Sequence, residues 1–133
     1  MAKDGKVELL RRVSIFQSCN QKVLEEICSR AEEVDLRADK VLCREGRFAD
    51  ELFVIFSGRV RVERNGRRLA TYGAGDVIGD LTLLDGRPRA TTAVTEEPTR
   101  VLVIPRRDFH TLVADHQVVR EQIMVTMRLQ SLA

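Results

Sequence analysis

A small net charge and the lack of any long apolar run limit what this chain of 133 residues can be. Its 22 basic side chains nearly balance 20 acidic ones, so the formal net charge is only +2. Such a weak overall field gives no general attraction to nucleic acid or to a membrane surface. No apolar run approaches the roughly 18 residues of a membrane helix, and the opening MAKDGKVELL lacks the apolar core of a secretory leader. We therefore expect a cytoplasmic protein without membrane insertion.

Cysteine and histidine are too few, and too poorly spaced, for the common covalent and metal-centred chemistries. Cys19, Cys28 and Cys43 form an odd set without a Cys-x-x-Cys pair, which argues against a disulfide framework and a thiolate zinc site. His110 and His116 lie close together late in the chain. They leave little for a metal-dependent barrel enzyme or for Ser-His or Cys-His catalysis. We expect reduced structural thiols, no metal, no cofactor and no enzymatic activity.

The length and the apolar spacing predict one domain that is helical at both ends. The predicted segments are helices over residues 6–32, strands over 34–104 and helices over 106–131, within a single domain of residues 1–133. Ser18 and Gln21 fit a capping box at the start of an amphipathic helix.

The middle of the chain has the pattern of short antiparallel strands. Residues 52–56 are a continuous apolar run of strand length, and Val60 and Val62 alternate with charged residues, as in a half-buried strand. Asn65-Gly66 follows directly and is a strong hairpin signal. Short strands separated by glycine-rich turns predict an antiparallel sandwich or barrel.

The final helix is apolar over more of its circumference than one exposed helix requires. Val119, Ile123 and Met127 lie four residues apart, with further apolar residues beside them. Part of this surface is expected to pack on the barrel, and part to meet a ligand, a second subunit or a further domain. Packing entirely within the chain is equally compatible with the pattern.

The stretch IGDLTLLDGRPRATTAV, residues 78–94, has the features of an anion site. Arg89 is a permanent cation between a proline and a run of small residues. Gly79 and Asp80 precede leucines at near-helical spacing, which predicts a single helical turn whose first N–H groups are free to bind an anion. A guanidinium fork suits phosphate oxygens, and the Asp80 carboxylate suits a sugar hydroxyl. Together they match a ribose phosphate.

The run GDVIGDLTLLDGRPRATTAV closely resembles the phosphate-binding cassette of cyclic nucleotide-binding domains, sensor domains of the type found in catabolite activators and protein kinase A regulatory subunits. VLCREGRFADELFVIFSGRVRV, LLRRVSIF and VLVIPRRDF are similar to further parts of the family pattern, so the resemblance covers roughly residues 8–132. It implies a mainly β fold with flanking helices, an antiparallel β-roll or jelly-roll barrel with N-terminal helices and two C-terminal helices. The cassette is residues 78–92.

The resemblance also implies the roles of individual residues. Arg89 matches the arginine that binds the cyclic phosphate, and Asp80 matches the acid that binds the ribose. The implied ligand-binding residues are Gly79, Asp80, Leu81, Thr82, Arg89 and Ala90. The base is covered in the family by a residue of the C-terminal helices, and the candidates here are Arg120, Ile123, Met124 and Met127.

We therefore expect a non-catalytic sensor module that couples binding of a 3′,5′-cyclic nucleotide to motion of its C-terminal helices. Ala90 follows the arginine where a hydroxyl residue often accompanies cyclic GMP preference in the family, which favours cyclic AMP. The family usually has Glu at the position of Asp80, and the shorter acid is expected to weaken binding rather than abolish it. The alternative is a domain of the same fold that binds no nucleotide and serves for interaction or dimerisation through its last helix. A transcription regulator of the catabolite activator type fits in its sensor half, but we expect no direct DNA binding by this chain, since this sequence shows neither a helix-turn-helix nor a basic recognition helix.

Overall fold

The computed structural model describes residues 3–48, 50–79 and 86–132, with side chains between residues 5 and 125 of these ranges. Its helices are α1 (Lys3–Arg12), α2 (Gln21–Arg30), α3 (Arg106–Asp115) and α4 (Gln117–Leu132), with a short 3-10 turn at Ser14–Phe16. Its strands are β1 (Glu32–Leu36), β2 (Val41–Cys43), β3 (Glu51–Ser57), β4 (Val60–Arg64), β5 (Arg67–Tyr72), β6 (Val77–Ile78), β7 (Thr92–Thr95) and β8 (Thr99–Pro105). The predicted fold class, an antiparallel β-roll between N-terminal and C-terminal helices, is confirmed.

The strands form two antiparallel sheets whose neighbours are mostly distant in sequence. The first sheet has the order β1-β8-β3-β6 and the second the order β2-β7-β4-β5. The hairpin between β4 and β5 is local, as Asn65-Gly66 predicts. Asn65 and Gly66 have φ values of 53° and 78°, the left-handed pair that a tight hairpin turn requires.

Strands β3 and β8 are apolar on both faces because each face meets a different core. Leu52 and Val54 of β3 pack with the helices, in a cluster that also contains Phe109 of α3. Phe53 and Ile55 point the other way, into the interior of the roll. Side chains alternate along a strand, so a strand between two cores has a continuous apolar sequence rather than an alternating one.

The cap of α2 corrects one prediction. The helix begins at Gln21, and the Oδ1 atom of Asn20 accepts a hydrogen bond of 2.9 Å from the backbone N–H of Val23. Ser18 as the cap is therefore wrong. A cap residue must directly precede the first helical residue to reach its free N–H groups, and Ser18 lies in the preceding turn.

The end of α2 corrects a boundary. The helical segment predicted to run to residue 32 ends at Arg30, and Ala31 already has extended backbone angles. Glu32 then pairs with Val103 as the first residue of β1. Hydrogen bonding to β8 outweighs the helical preference of the two glutamates at this point.

The C-terminal helices are separated at His116. Helix α3 packs against β8 and β3, and α4 packs against α3 and the Ser14–Phe16 turn. Val119 and Ile123 of α4 are fully buried in the helical core, whereas Met124 and Val125 remain 51% and 46% exposed. The interpretation that the whole apolar surface of α4 packs within the chain is therefore wrong for these two residues. Among the described residues, no helix combines the length and apolar character needed to cross a membrane.

Candidate functional site

Arg89 is a charged side chain held almost entirely out of solvent. It is 7% exposed, and its Nη2 atom donates a hydrogen bond of 2.8 Å to the backbone carbonyl of Glu51, at the start of β3. Removing a guanidinium from water is costly unless hydrogen bonds and an opposing charge compensate. A neutral carbonyl supplies only part of that compensation, so this position favours an anion beside Arg89.

The backbone on both sides of Arg89 is fixed by the loop that connects β2 and β3. The N–H of Arg89 donates to the carbonyl of Arg47 at 2.7 Å, and the carbonyl of Arg89 accepts from the N–H of Gly46 at 2.9 Å. Phe48 and Pro88 form an additional β-bridge. Arg89 is therefore presented from a rigid backbone rather than from a free loop.

Gly79 lies directly against the guanidinium. Its φ of +101° is in the region that favours glycine, and a Cβ atom built on it would lie 2.5 Å from Nη1 and 3.0 Å from Nη2 of Arg89. Any larger residue would displace the arginine or strain the backbone. The structure thus brings together two residues that the sequence predicted for one site although they are ten positions apart.

The other predicted ligand-binding residues are placed only in part. Ala90 follows Arg89 at the surface, and its carbonyl accepts a hydrogen bond of 3.2 Å from Nε of Arg64. Asp80, Leu81 and Thr82 lie outside the described residues, as does the predicted helical turn. Their roles stay predictions.

Glu45 has a structural role that the sequence did not reveal. Its carboxylate accepts hydrogen bonds from the N–H of Asn65 at 3.1 and 3.2 Å and from the hydroxyl of Thr92 at 3.2 Å. Glu45 therefore ties the loop after β2 to the β4–β5 hairpin and to the start of β7. In the sequence, Glu45 is marked only by the glycine that follows it, and this pair does not indicate the partners of the carboxylate.

Cys43 of β2 is buried close to Arg89. Burial raises the pKa of the Cys43 thiol above its ordinary value, and the neighbouring Arg89 cation opposes that shift. Its Sγ atom lies 3.7 Å from the carbonyl of Thr91. The thiol is therefore protonated at neutral pH and serves for packing rather than as a nucleophile.

The proposed covering residues differ in their availability. Ile123 is fully buried in the helical core and is not free to cover a ligand. Arg120 is exposed and donates from Nη1 to the carbonyl of Val113 at 3.1 Å, and Met124 is half exposed. The side chain of Met127 lies outside the described part of the chain.

Polar contacts between the helices involve one histidine, one arginine and two acidic residues. His116 lies 3.1 Å from a carboxylate oxygen of Glu26, and Arg30 lies 2.8 Å from one of Asp108. These contacts fasten α2 to α3 and to the residue before α4. Within residues 3–48, 50–79 and 86–132, no group of three potential ligands is arranged to hold a metal ion.

Comparison with known proteins gives a family match over most of the chain. The model of the cyclic nucleotide-binding domain matches residues 33–116. A CRP-like cAMP-activated global transcriptional regulator of Mycobacterium tuberculosis is 29% identical over 122 residues, which cover 88% of this chain and 54% of the regulator. The chain thus spans about half the length of this relative.

Solved structures show the same fold. The regulatory domain of Toxoplasma gondii PKA, crystallised with cAMP, superposes with a TM-score of 0.79 at 28% identity, covering 85% of this chain and 45% of that one. The catabolite activator protein of Thermus thermophilus gives a TM-score of 0.78 at 26% identity, covering 89% and 59%. Both are similar to this chain over its strands and helices together.

Proposed function

Because the chain belongs to the cyclic nucleotide-binding domain family, we propose that it binds a 3′,5′-cyclic nucleotide through Arg89 as a non-catalytic regulatory module. The burial of the Arg89 guanidinium against Gly79 is the observation that carries the proposal. A cyclic phosphate bears one negative charge and two free oxygens, which match one guanidinium fork. Its anion adds charge compensation to the hydrogen bond that Arg89 makes with the carbonyl of Glu51.

Cyclic AMP is the proposed ligand rather than cyclic GMP. Ala90, directly after the arginine, brings no hydroxyl group to the site. The regulator from Mycobacterium tuberculosis is described as cAMP-activated, and the domain from Toxoplasma gondii is bound to cAMP. In the proposed complex, Asp80 binds the ribose and the N–H of Ala90 adds a bond to the phosphate.

Two adjacent carbonyl groups provide a route from the ligand to the C-terminal helices. Glu51 accepts from the Arg89 side chain, and the carbonyl of Asp50 accepts from the N–H of Arg106, the first residue of α3, at 2.8 Å. Leu52, the next residue, packs in the same core as Phe109 of α3. A phosphate that repositions Arg89 therefore acts on the strand end that holds α3. The coupling is limited by the difference in ligand affinity between the two helix positions.

Calorimetric titration with cyclic AMP and cyclic GMP tests the proposal. A hydrogen bond to a charged group contributes about 1.5–3 kcal/mol, and about 1.4 kcal/mol corresponds to tenfold in affinity. We expect Arg89→Ala to weaken cyclic AMP binding at least about tenfold, with thermal unfolding still cooperative. Arg89→Lys keeps the positive charge but lacks the guanidinium fork, so its affinity for cyclic AMP should lie between those of Arg89→Ala and the wild type.

Arg12→Ala is the matched control, because Arg12 is an exposed arginine at the end of α1, a helix that packs against α2 rather than against the roll. It should bind cyclic AMP as the wild type does. Equal affinities for the wild type and Arg89→Ala would exclude Arg89 as the phosphate anchor. A folded wild type that shows no binding at millimolar cyclic nucleotide would instead indicate an interaction domain of the same fold.

A further inference from the structure

A cavity adjoins Arg89 on the side of β2 and β3. Its volume is about 730 Å³, within the roughly 300–1,000 Å³ typical of small-molecule sites. The lining residues are Lys40, Val41, Leu42, Cys43, Arg44, Arg47, Phe48, Asp50, Glu51, Phe53 and Arg89. Gly79 and Ala90, the described neighbours of Arg89 in the cyclic phosphate site, do not line it. The cavity therefore extends from Arg89 on a side that neither Gly79 nor Ala90 occupies.

The charge of the cavity favours an anion. Lys40, Arg44 and Arg47 are exposed at its wall, and in the described part of the chain none of them takes part in an ion pair. Without Arg89, whose charge is assigned to the cyclic phosphate, the described lining has three cations against the two carboxylates of Asp50 and Glu51. Two arginines three positions apart suit a ligand with several phosphate oxygens, since each guanidinium can donate two parallel hydrogen bonds.

An exposed aromatic ring lies at the same cavity. Phe48 is 64% exposed, more than any other large apolar side chain that the structure describes. The bridge between Phe48 and Pro88 fixes its backbone, and the hydrogen bonds between the loop and Arg89 fix the adjoining residues. A flat heterocycle can stack on such a ring, which strengthens its binding. The loop pays little ordering entropy on binding because it is already held in place.

From this combination of unpaired cations and an exposed ring, we infer that the cavity is a second ligand site, which takes a nucleoside polyphosphate. The phosphates bind Arg44 and Arg47, with Lys40 beside them. The base stacks on Phe48. The carboxylates of Asp50 and Glu51 are suited to accept hydrogen bonds from ribose hydroxyls.

Titration calorimetry with ATP, pyrophosphate and adenosine tests the inference, with and without saturating cyclic AMP. ATP should bind at least tenfold more tightly than pyrophosphate or adenosine, because only ATP uses both the cations and the ring. Arg44→Ala combined with Arg47→Ala should weaken ATP binding at least tenfold, and Phe48→Ala about fivefold or more. Saturating cyclic AMP should leave ATP binding in place.

The control removes two arginines elsewhere. Arg67 and Arg107 are exposed on β5 and α3 and do not line the cavity, so their double alanine variant changes the net charge equally and should bind ATP within twofold of the wild type. An equal loss in this variant would reduce the effect to general charge and overturn the inference. So would the absence of ATP binding at millimolar concentration, equal affinities for ATP and pyrophosphate, or displacement of ATP by cyclic AMP.

The two proposals fail separately. Cyclic AMP binding is read from the Arg89 variants, whereas ATP binding is read from the variants of Arg44, Arg47 and Phe48 in protein without cyclic AMP. If the chain does not bind cyclic AMP but binds ATP through these residues, only the proposed function is refuted. The reverse result would refute the second site alone.

Discussion

Replacement of Gly79 by alanine separates the ligand site from the general stability of the fold. The added Cβ atom would lie 2.5 Å from Nη1 of Arg89 and 3.1 Å from its Cζ. Non-bonded carbon and nitrogen atoms do not approach so closely, so the guanidinium must move. Arg89 is only 7% exposed, so its side chain has little room to move. The displacement therefore breaks its 2.8 Å hydrogen bond to the carbonyl of Glu51.

The magnitude has two parts that act on different measurements. Alanine at a φ of +101° places a side chain in sparsely populated backbone space, which costs about 1–3 kcal/mol of the free energy of unfolding. The displaced Arg89 side chain is no longer positioned to donate hydrogen bonds to the phosphate. The loss of one charge-assisted bond of about 1.5–3 kcal/mol corresponds to roughly tenfold to a hundredfold weaker binding of cyclic AMP.

Gly75→Ala is a matched control for the backbone part. Gly75 has a φ of +90°, and a Cβ atom there would have nothing within 4 Å. Urea unfolding should show a comparable loss of stability in both alanine variants, whereas calorimetry should show weakened cyclic AMP binding only for Gly79→Ala. Wild-type affinity in Gly79→Ala would refute the reasoning, since the arginine could then be displaced without consequence for the ligand.

Two further predictions concern the two buried cores. Ile55→Ala, at a fully buried position, should lower the free energy of unfolding by about 2–5 kcal/mol. Leu69→Ala, at a 53% exposed position, should change it by no more than about 0.5 kcal/mol. Similar losses of stability for the two variants in urea unfolding would contradict the assignment of the core. Burial raises the pKa values of Cys19 and Cys43, so both remain thiols to higher pH in the folded chain than in the unfolded one. Iodoacetamide should therefore alkylate them more slowly in the folded protein than in urea at the same pH near 8, and equal rates at both positions would show that the thiols are not protected.

The strands of the roll were largely predictable because their signals are local. The apolar run at residues 52–56 and the alternation of Val60 and Val62 each reflect which faces of one strand are buried. Asn65-Gly66 determines its own turn, as the positive φ values show. The prediction was wrong where local signals competed. Glu32 has helical preference, but it pairs with Val103 of β8, a partner that no local pattern indicates.

The candidate site was predictable as a set of residues but not as an arrangement. Arg89 and Gly79 were singled out from the sequence because a cation after proline and a glycine before an acid are unusual together. The backbone carbonyl of Glu51, which accepts a hydrogen bond from Arg89, was not identified. Every residue has a backbone carbonyl, and the sequence does not indicate which of them accepts a side-chain hydrogen bond. The cavity at Arg44 and Phe48 was missed for a similar reason, since charged and apolar residues in a loop have no period that indicates a shared wall.

The sequence by itself determined much of the local structure, including the position of several strands and of the hairpin turn. It also showed that Arg89, a cation after a proline, stands in a pattern that predicts anion binding. Each of these properties depends on residues that are close together in the sequence, so a short segment is enough to specify it. The tertiary structure decided which strands pair, that Gly79 meets the guanidinium of Arg89, and that β3 connects this arginine to α3. Those contacts join residues ten to more than fifty positions apart, so they are set by the packing of the whole chain around two cores rather than by any short segment.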